Sequence, residues 1–362
     1  MKRYLRRAEP LALFAGAVTA LSFAPLGFFP LAPLMLAALL WLWRDAAPGR
    51  AAWLGWCYGL GLFGVGVSWV YVSMHDFGYM APPLAAFATL LFVAAMALYP
   101  ALVGAAQARW RHPSMVWQSL AIVPAFWVLA EWLRARLFTG FPWLTLGYSQ
   151  LDSPLAGLAP WLGVYAMSFA VVLSAGLLVA WAASRNRRAW RFGAVLAALW
   201  GAAALAGTIT WTTPHGDRLK VTLIQGNVPI DLKWLPSYRP AILEMYRKLS
   251  EENGNSDLIV WPEGAIPAYY DDIEPAYLNS LKAITRARKS EILFGVVDRE
   301  RNNGETRYYN AVASVTNPAA RYRKRHLVPF GEYPPLDPLF RWLMRSMHIP
   351  MSDFSAGPAG QQ

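Results

Sequence analysis

Cysteine is almost missing from this sequence. A single thiol, Cys57, in 362 residues excludes an internal disulfide, and no Cys/His pair has the spacing of a zinc site. Charge is scarce too. Asp, Glu, Lys and Arg make up 15% of the chain, against about 25% in an ordinary soluble domain. Acidic residues are the rarer sign, 22 against 33 Lys and Arg, for a net charge of +11. Hydrophobic residues are in excess, at 56%. These figures exclude a disordered chain, a collagen and a disulfide scaffold. The apolar excess lies before about Trp211, and the remainder reads as a water-facing domain. Much of the basic excess sits at the ends of apolar segments. That pattern reads as anchoring at an anionic membrane surface, not as nucleic-acid binding.

About 20 apolar residues cross a bilayer. Seven segments qualify as candidates: 10–23, 28–43, 52–74, 83–106, 115–133, 158–183 and 190–211. The first two are short and separated by Pro25-Leu26-Gly27, so they also fit one bent or re-entrant hairpin. Basic residues mark alternate loops: Lys2, Arg3, Arg6 and Arg7; Arg44 and Arg50; Arg109 and Arg111; Arg185, Arg187, Arg188 and Arg191. These loops are expected on the cytoplasmic side. Residues 1–212 then form a multi-span domain, and residues 213–362 lie outside the cytoplasm. Gly59, Gly61, Gly64 and Gly66 suit close helix contact in lipid. Glu131, Arg134 and Arg136 are expected as an interfacial charge group. The aromatic, turn-rich segment 138–143 is expected at the outer surface, as an anchor or a point of lipid entry.

After Arg218 the pattern is α/β. Strands are expected at 219–224, 258–261, 292–297 and 308–316, and helices at 240–252 and 275–289. In the last strand Tyr309, Ala311, Ala313 and Val315 share one face. Glu263 follows the apolar strand 258–261 and Pro262. Apolar neighbours would desolvate its carboxylate and raise its pKa, which tunes a Glu as a general base. A structural Glu capping a turn fits the position equally well. Residues 323–326, Arg-Lys-Arg-His, precede an apolar run. A solvated basic face is the ordinary reading. The sharper one turns a Lys inward to hold an oxyanion, with Glu332 nearby.

Several stretches resemble the apolipoprotein N-acyltransferase family, whose soluble part belongs to the nitrilase, or carbon-nitrogen hydrolase, superfamily. They are Glu131-Trp132-Leu133-Arg134, Thr139-Gly140-Phe141-Pro142-Trp143, Gly147-Tyr148-Ser149-Gln150, Gln225-Gly226-Asn227, Lys233-Trp234, Trp261-Pro262-Glu263 and residues 324–333. The resemblance implies a polytopic α-helical membrane domain followed by an α/β nitrilase-like domain, an α-β-β-α sandwich. It implies catalytic roles for Glu263 as general base, Lys324 as the catalytic lysine and Glu332 as a second glutamate. It places Trp234 at the substrate mouth. It implies transfer of an acyl chain from phospholipid, through a cysteine thioester, to the N-terminal amine of a diacylglyceryl lipoprotein. The expected location is the bacterial inner membrane, with the catalytic domain periplasmic. No metal or cofactor is implied.

The family's nucleophilic Cys follows the Lys–Glu segment, and the sequence reaches Gln362 before such an element or a last membrane span. The chain is therefore expected to be a C-terminally truncated, inactive acyltransferase with an incomplete sandwich. Cys57 is no substitute. It lies about five residues into the third segment, roughly 8 Å deep from the cytoplasmic side, in a core about 30 Å thick. Two rival readings are a membrane-anchored nitrilase-type amidase and a non-catalytic lipid- or lipoprotein-binding membrane protein.

Overall fold

The structure is a computed structural model of the whole chain. It describes residues 8–184, 187, 189–253, 255–302, 305–329, 331–333 and 353–361. The basic residues expected at positions 2–7, 185 and 188 lie outside the described residues. The chain divides into two compact units, Met1–Thr213 and Pro214–Gln362.

The first unit is helical. Its helices are α1 (Ala8–Ala20), α2 (Leu31–Trp43), α3 (Pro48–Gly66), α4 (Trp69–Val72), α5 (Pro82–Met96), α6 (Leu98–Arg109), α7 (Met115–Trp117), α8 (Val123–Arg134), α9 (Ala159–Ala183) and α10 (Trp190–Ala206). Helical segments occupy all seven regions singled out in the sequence. Among the described residues, Pro82–Arg109 and Pro154–Ala183 are long and apolar enough to cross a membrane. The pair Pro48–Gly66 and Trp69–Phe77, bent by 54°, forms a third candidate. At 13 residues each, α1 and α2 reach about 20 Å, short of a hydrocarbon core of about 30 Å.

The glycines of α3 explain how the helices approach. A Cβ at Gly61 would stand 2.7 Å from Ala17 N, and one at Gly59 would stand 2.6 Å from Ala97 Cα. From the α1 side, a Cβ at Gly16 would stand 2.9 Å from Leu62 N. Backbones meet where the side chain is a hydrogen, the contact that replaces hydrophobic driving force between helices in lipid. Gly66 faces the Leu144 side chain, whereas Gly64 faces open space and has no such role.

Glu131 and Arg134 correct the sequence expectation. They are 5% and 3% exposed, so they belong to the bundle interior and not to an interfacial charge group. Arg134 donates to the carbonyls of Phe141, at 2.8 Å, and Trp143, and to Thr145 Oγ1 at 3.3 Å. Glu131 Oε1 accepts from Leu146 N at 2.8 Å and Trp127 Nε1 at 3.1 Å. Polar groups buried among apolar helices are costly unless hydrogen-bonded, and Glu131 Oε2 is left without a hydrogen-bond partner among the described residues. Here the partners are mostly main-chain atoms of segment 141–146, which the two side chains hold against α8. Arg136 stays exposed, with its guanidinium 4.8 Å from the Trp132 ring centre.

The second unit is α/β. One mixed sheet runs in the order β1 (Val221–Leu223), β2 (Leu258–Val260), β3 (Glu291–Asn302), β4 (Glu305–Ser314) and β5 (Arg321–Arg323). The first three strands are parallel and the last three antiparallel. Helices α11 (Ile230–Lys233), α12 (Arg239–Glu252) and α13 (Pro275–Arg288) complete it. Ile242 and Tyr246 of α12, and Leu281 and Ile284 of α13, share one core with Ile259, Ile292 and Phe294 of the sheet. The Tyr246 and Trp261 rings stack at 4.9 Å, and Trp261 Nε1 donates to buried Ser250 Oγ at 2.9 Å. Parallel strands covered in this way read as continuous apolar runs, as Leu258-Ile259-Val260 does. The face carrying Tyr309, Ala311, Ala313 and Val315 is buried as expected. The strand β5 and the single turn α11 had no apolar periodicity to reveal them.

Candidate active site

The end of β2 sets the first catalytic candidate. After Val260 the chain turns through Pro262, Glu263 and Gly264, whose φ is +57°, a region where only glycine is unstrained. Gly295 of β3 lets this turn lie flat on the sheet. A Cβ there would stand 2.5 Å from Gly264 N and 2.7 Å from Glu263 Cα. Ile266 N then closes the turn on Gly295 O at 3.2 Å.

The second candidate follows β5. Lys324 N donates to Asn310 O at 2.7 Å, which continues the β4–β5 pairing by one step and turns the lysine toward the β2 end. Its Nζ stands 3.0 Å from both carboxylate oxygens of Glu332 and 3.5 Å from Glu263 Oε1. Glu332 is fixed from a third side, where its Oε2 accepts from Val328 N at 2.7 Å. The structure thus brings Glu263, Lys324 and Glu332 together. The inward lysine prevails over the solvated basic face, although Arg325 and His326 are exposed.

Asn310 is the member that sequence reasoning missed. Its Nδ2 donates to Glu332 Oε1 at 2.9 Å and also to Glu263 Oε1. One amide and one ammonium therefore hold two carboxylates side by side. Its only sequence signal is an amide on a strand whose alternate residues are apolar.

Burial differs between the two glutamates. The Glu332 side chain is 12% exposed, and that of Glu263 is 68% exposed. The desolvation expected for Glu263 is not what the structure shows, because its turn projects the carboxylate off the strand end into solvent. Burial pushes the Glu332 carboxyl up, but the bonds from Asn310, Val328 N and Lys324 outweigh it and hold it below its usual range. Burial pushes Lys324 down, and its bond to Glu332 with the charges of both glutamates reverses this, leaving the ammonium above its usual range. Lys324 is accordingly a permanent cation at neutral pH. Trp234 is half exposed and follows Lys233 at the end of α11. Among the described residues no group of His, Cys, Asp and Glu is arranged to hold a metal ion.

Such a site can accept a proton at Glu263 and stabilise an oxyanion at Lys324. Among the described residues no thiol belongs to the second unit. Cys57, the sole thiol, belongs to α3 of the first unit and is 7% exposed.

Residues 15–177 match the apolipoprotein N-acyltransferase N-terminal domain, and residues 220–361 match the carbon-nitrogen hydrolase family. An apolipoprotein N-acyltransferase of Nitrosomonas europaea is 45% identical over 365 residues, covering 100% of this chain and 72% of the relative. Those of Methylococcus capsulatus and Azotobacter vinelandii are 42% and 44% identical, each covering 97% of this chain and 69% of the relative. With matches to both parts in the same order, and relatives aligned across both units, the chain belongs to the apolipoprotein N-acyltransferase family, acyltransferases that join a membrane part to a carbon-nitrogen hydrolase domain.

Proposed function

We propose that this chain supplies the acid–base half and the membrane part of an N-acyltransferase of the bacterial inner membrane. The observation that carries the reading is the Lys324 ammonium held between Glu263 and Glu332 in a carbon-nitrogen hydrolase domain that follows helices of span length. The acyl donor is a phospholipid and the acceptor is the α-amine of a diacylglyceryl cysteine on a lipoprotein. Glu263 takes the proton of a cysteine thiol, and the thiolate attacks the ester carbonyl of the donor. The lysophospholipid leaves with that proton, and a thioester remains. Glu263 then deprotonates the incoming amine, which displaces the thiolate and forms the amide. Lys324 balances the oxyanion of each tetrahedral intermediate. Glu332, buried and paired, fixes Lys324, and Trp234 offers an exposed apolar face to substrate at the mouth. The second unit faces the periplasm.

Cys57 is the one thiol of the sequence and belongs to the first unit, so the test supplies another. The chain is joined to the part of the Nitrosomonas relative that it does not cover and is expressed in a strain depleted of its own N-acyltransferase. The chimera should restore growth, and the 362-residue chain alone should not. In the chimera, Glu263→Gln should slow acyl-enzyme formation by about 10²–10⁴-fold, the usual worth of a general base. Rescue by the unextended chain, or acyl-enzyme formation at the normal rate in the Glu263→Gln chimera, would defeat the reading.

A further inference from the structure

Lys233 has no part in the acid–base pair, yet it reaches the residue that carries it. Its Nζ donates to the main-chain carbonyl of Glu263 at 3.2 Å, across 30 positions of sequence. Glu263 is therefore held at both ends by lysines. Lys233 takes the carbonyl, and Lys324 with Asn310 takes the carboxylate.

The local geometry is built around this ammonium. A Cβ at Gly264 would meet only Lys233, at 3.3 Å from Nζ and 3.7 Å from Cε. The glycine thus answers two needs, the positive φ of the turn and room for the lysine. The helix α11 is a single turn of four residues with no buried side chain. It has no core of its own to fix it, so its tie to the β2 end counts for more. Trp234, the residue expected at the substrate mouth, follows directly.

We propose that Lys233 is a positioning residue: through the Glu263 carbonyl it fixes the orientation of the general base, and it ties the segment bearing Trp234 to the same turn. The proposal rests on the reading of Glu263 as the base. Burial pushes the Lys233 ammonium down in pKa, and the Glu263 charge offsets part of that. A lysine that merely trailed into solvent would feel neither.

The test uses the full 362-residue chain in lipid nanodiscs and reads geometry, not turnover. Trace isotopic acetylation at a series of pH values, resolved by peptide mass spectrometry, yields a titration for each lysine. In Lys233→Met the Glu263 turn loses its tie and its carboxylate moves away from Lys324. The Lys324 titration should fall by about half a unit or more, since an opposite charge at this range favours the charged form. Lys233→Arg keeps the cation and its donors and should hold Lys324 at the wild-type value. An unchanged Lys324 in a Lys233→Met protein with a normal melting midpoint overturns the proposal.

Should Lys233→Met fail to fold, a second measurement decides. In Glu263→Gln the Lys233 titration should move further down, because the neighbouring charge is gone. A Lys233 titration indifferent to that change also overturns the proposal. Neither result depends on whether the site transfers an acyl group. Failure of this inference and failure of the proposed function are therefore separable.

Discussion

Lys324 stands closer to Glu332 than to Glu263, at 3.0 Å against 3.5 Å. The buried glutamate is thus the lysine's main counter-ion, and the exposed one is the freer of the two. That division suits a base that must leave its resting partners to meet a proton donor. It also gives the ion pair a pH signature. The Glu332 pKa is depressed, so its contribution is present above the ordinary carboxylate range and is lost as pH falls through the depressed value. The Lys324 pKa is raised, so its contribution is present below the ordinary lysine range and is lost as pH rises through the raised value. Glu332→Gln should therefore lower stability at neutral pH by about 1.5–3 kcal/mol, the scale of a hydrogen bond to a charged group. The difference from wild type should vanish at strongly acidic and strongly alkaline pH. Thermal unfolding of both proteins across the pH range checks this, and a difference independent of pH would mean that the charge is not what stabilises.

Orientation rests on the loop charges alone. A reporter active only outside the cytoplasm should be active when fused after Thr213 and silent when fused after Arg188, given the basic residues Arg185, Arg187, Arg188 and Arg191 around the junction of the sixth and seventh apolar segments. The reverse pattern would place the second unit in the cytoplasm and defeat the proposed periplasmic orientation.

What the sequence disclosed follows from where the signals are local. The strands at 258 and 292 and the helices at 240 and 275 were legible because their apolar periodicity is written in consecutive residues. Glu263, Lys324 and Glu332 were legible through resemblance, but their mutual geometry was not. It depends on β5, a strand hidden in a run of charge. Arg321 and Arg323 reach across the sheet to Asp298, and Arg323 also to Glu300, all on β3. A basic run is thereby neutralised in pairs that no sequence window contains. Asn310 was missed, and Lys233 was noted only beside Trp234 with no role, for a related reason, since each acts on a residue more than 20 positions away. Glu131 and Arg134 read as interfacial because their partners are main-chain atoms of a loop, which leave no mark in composition.

The glycines of α3 make a prediction within one helix. Gly61→Ala would drive a methyl into the α1 backbone, and its mirror change Gly16→Ala would meet the α3 backbone. Each should cost about 1–3 kcal/mol, the range of an overpacked interior. Gly64→Ala meets nothing within 4 Å and should be neutral or gain up to about 1 kcal/mol from helix propensity. Melting midpoints in detergent would rank the three. Equal losses at positions 61 and 64 would refute the contact between α1 and α3.

The last prediction concerns the buried pair on α8. Arg134 neutralises no surface; it satisfies carbonyls of Phe141 and Trp143 and the Thr145 hydroxyl. Glu131 meanwhile satisfies Leu146 N and the Trp127 indole. Removing either one takes from the other its opposite charge within the bundle and strips its partners in segment 141–146, each buried group left without a bond costing about 1–3 kcal/mol. Arg134→Met should therefore be severe, and so should Glu131→Leu. Arg134→Lys keeps the charge but lacks the planar fork that reaches several acceptors at once, so it should rescue only in part. The double change Glu131→Leu/Arg134→Met leaves no buried charge. Its loss should fall well short of the sum of the singles, with the residual set by the orphaned main-chain groups of segment 141–146. Unfolding of the four variants in detergent gives the coupling directly. Additive losses would mean that the two side chains hold the segment independently, and the charges would not be acting as a pair.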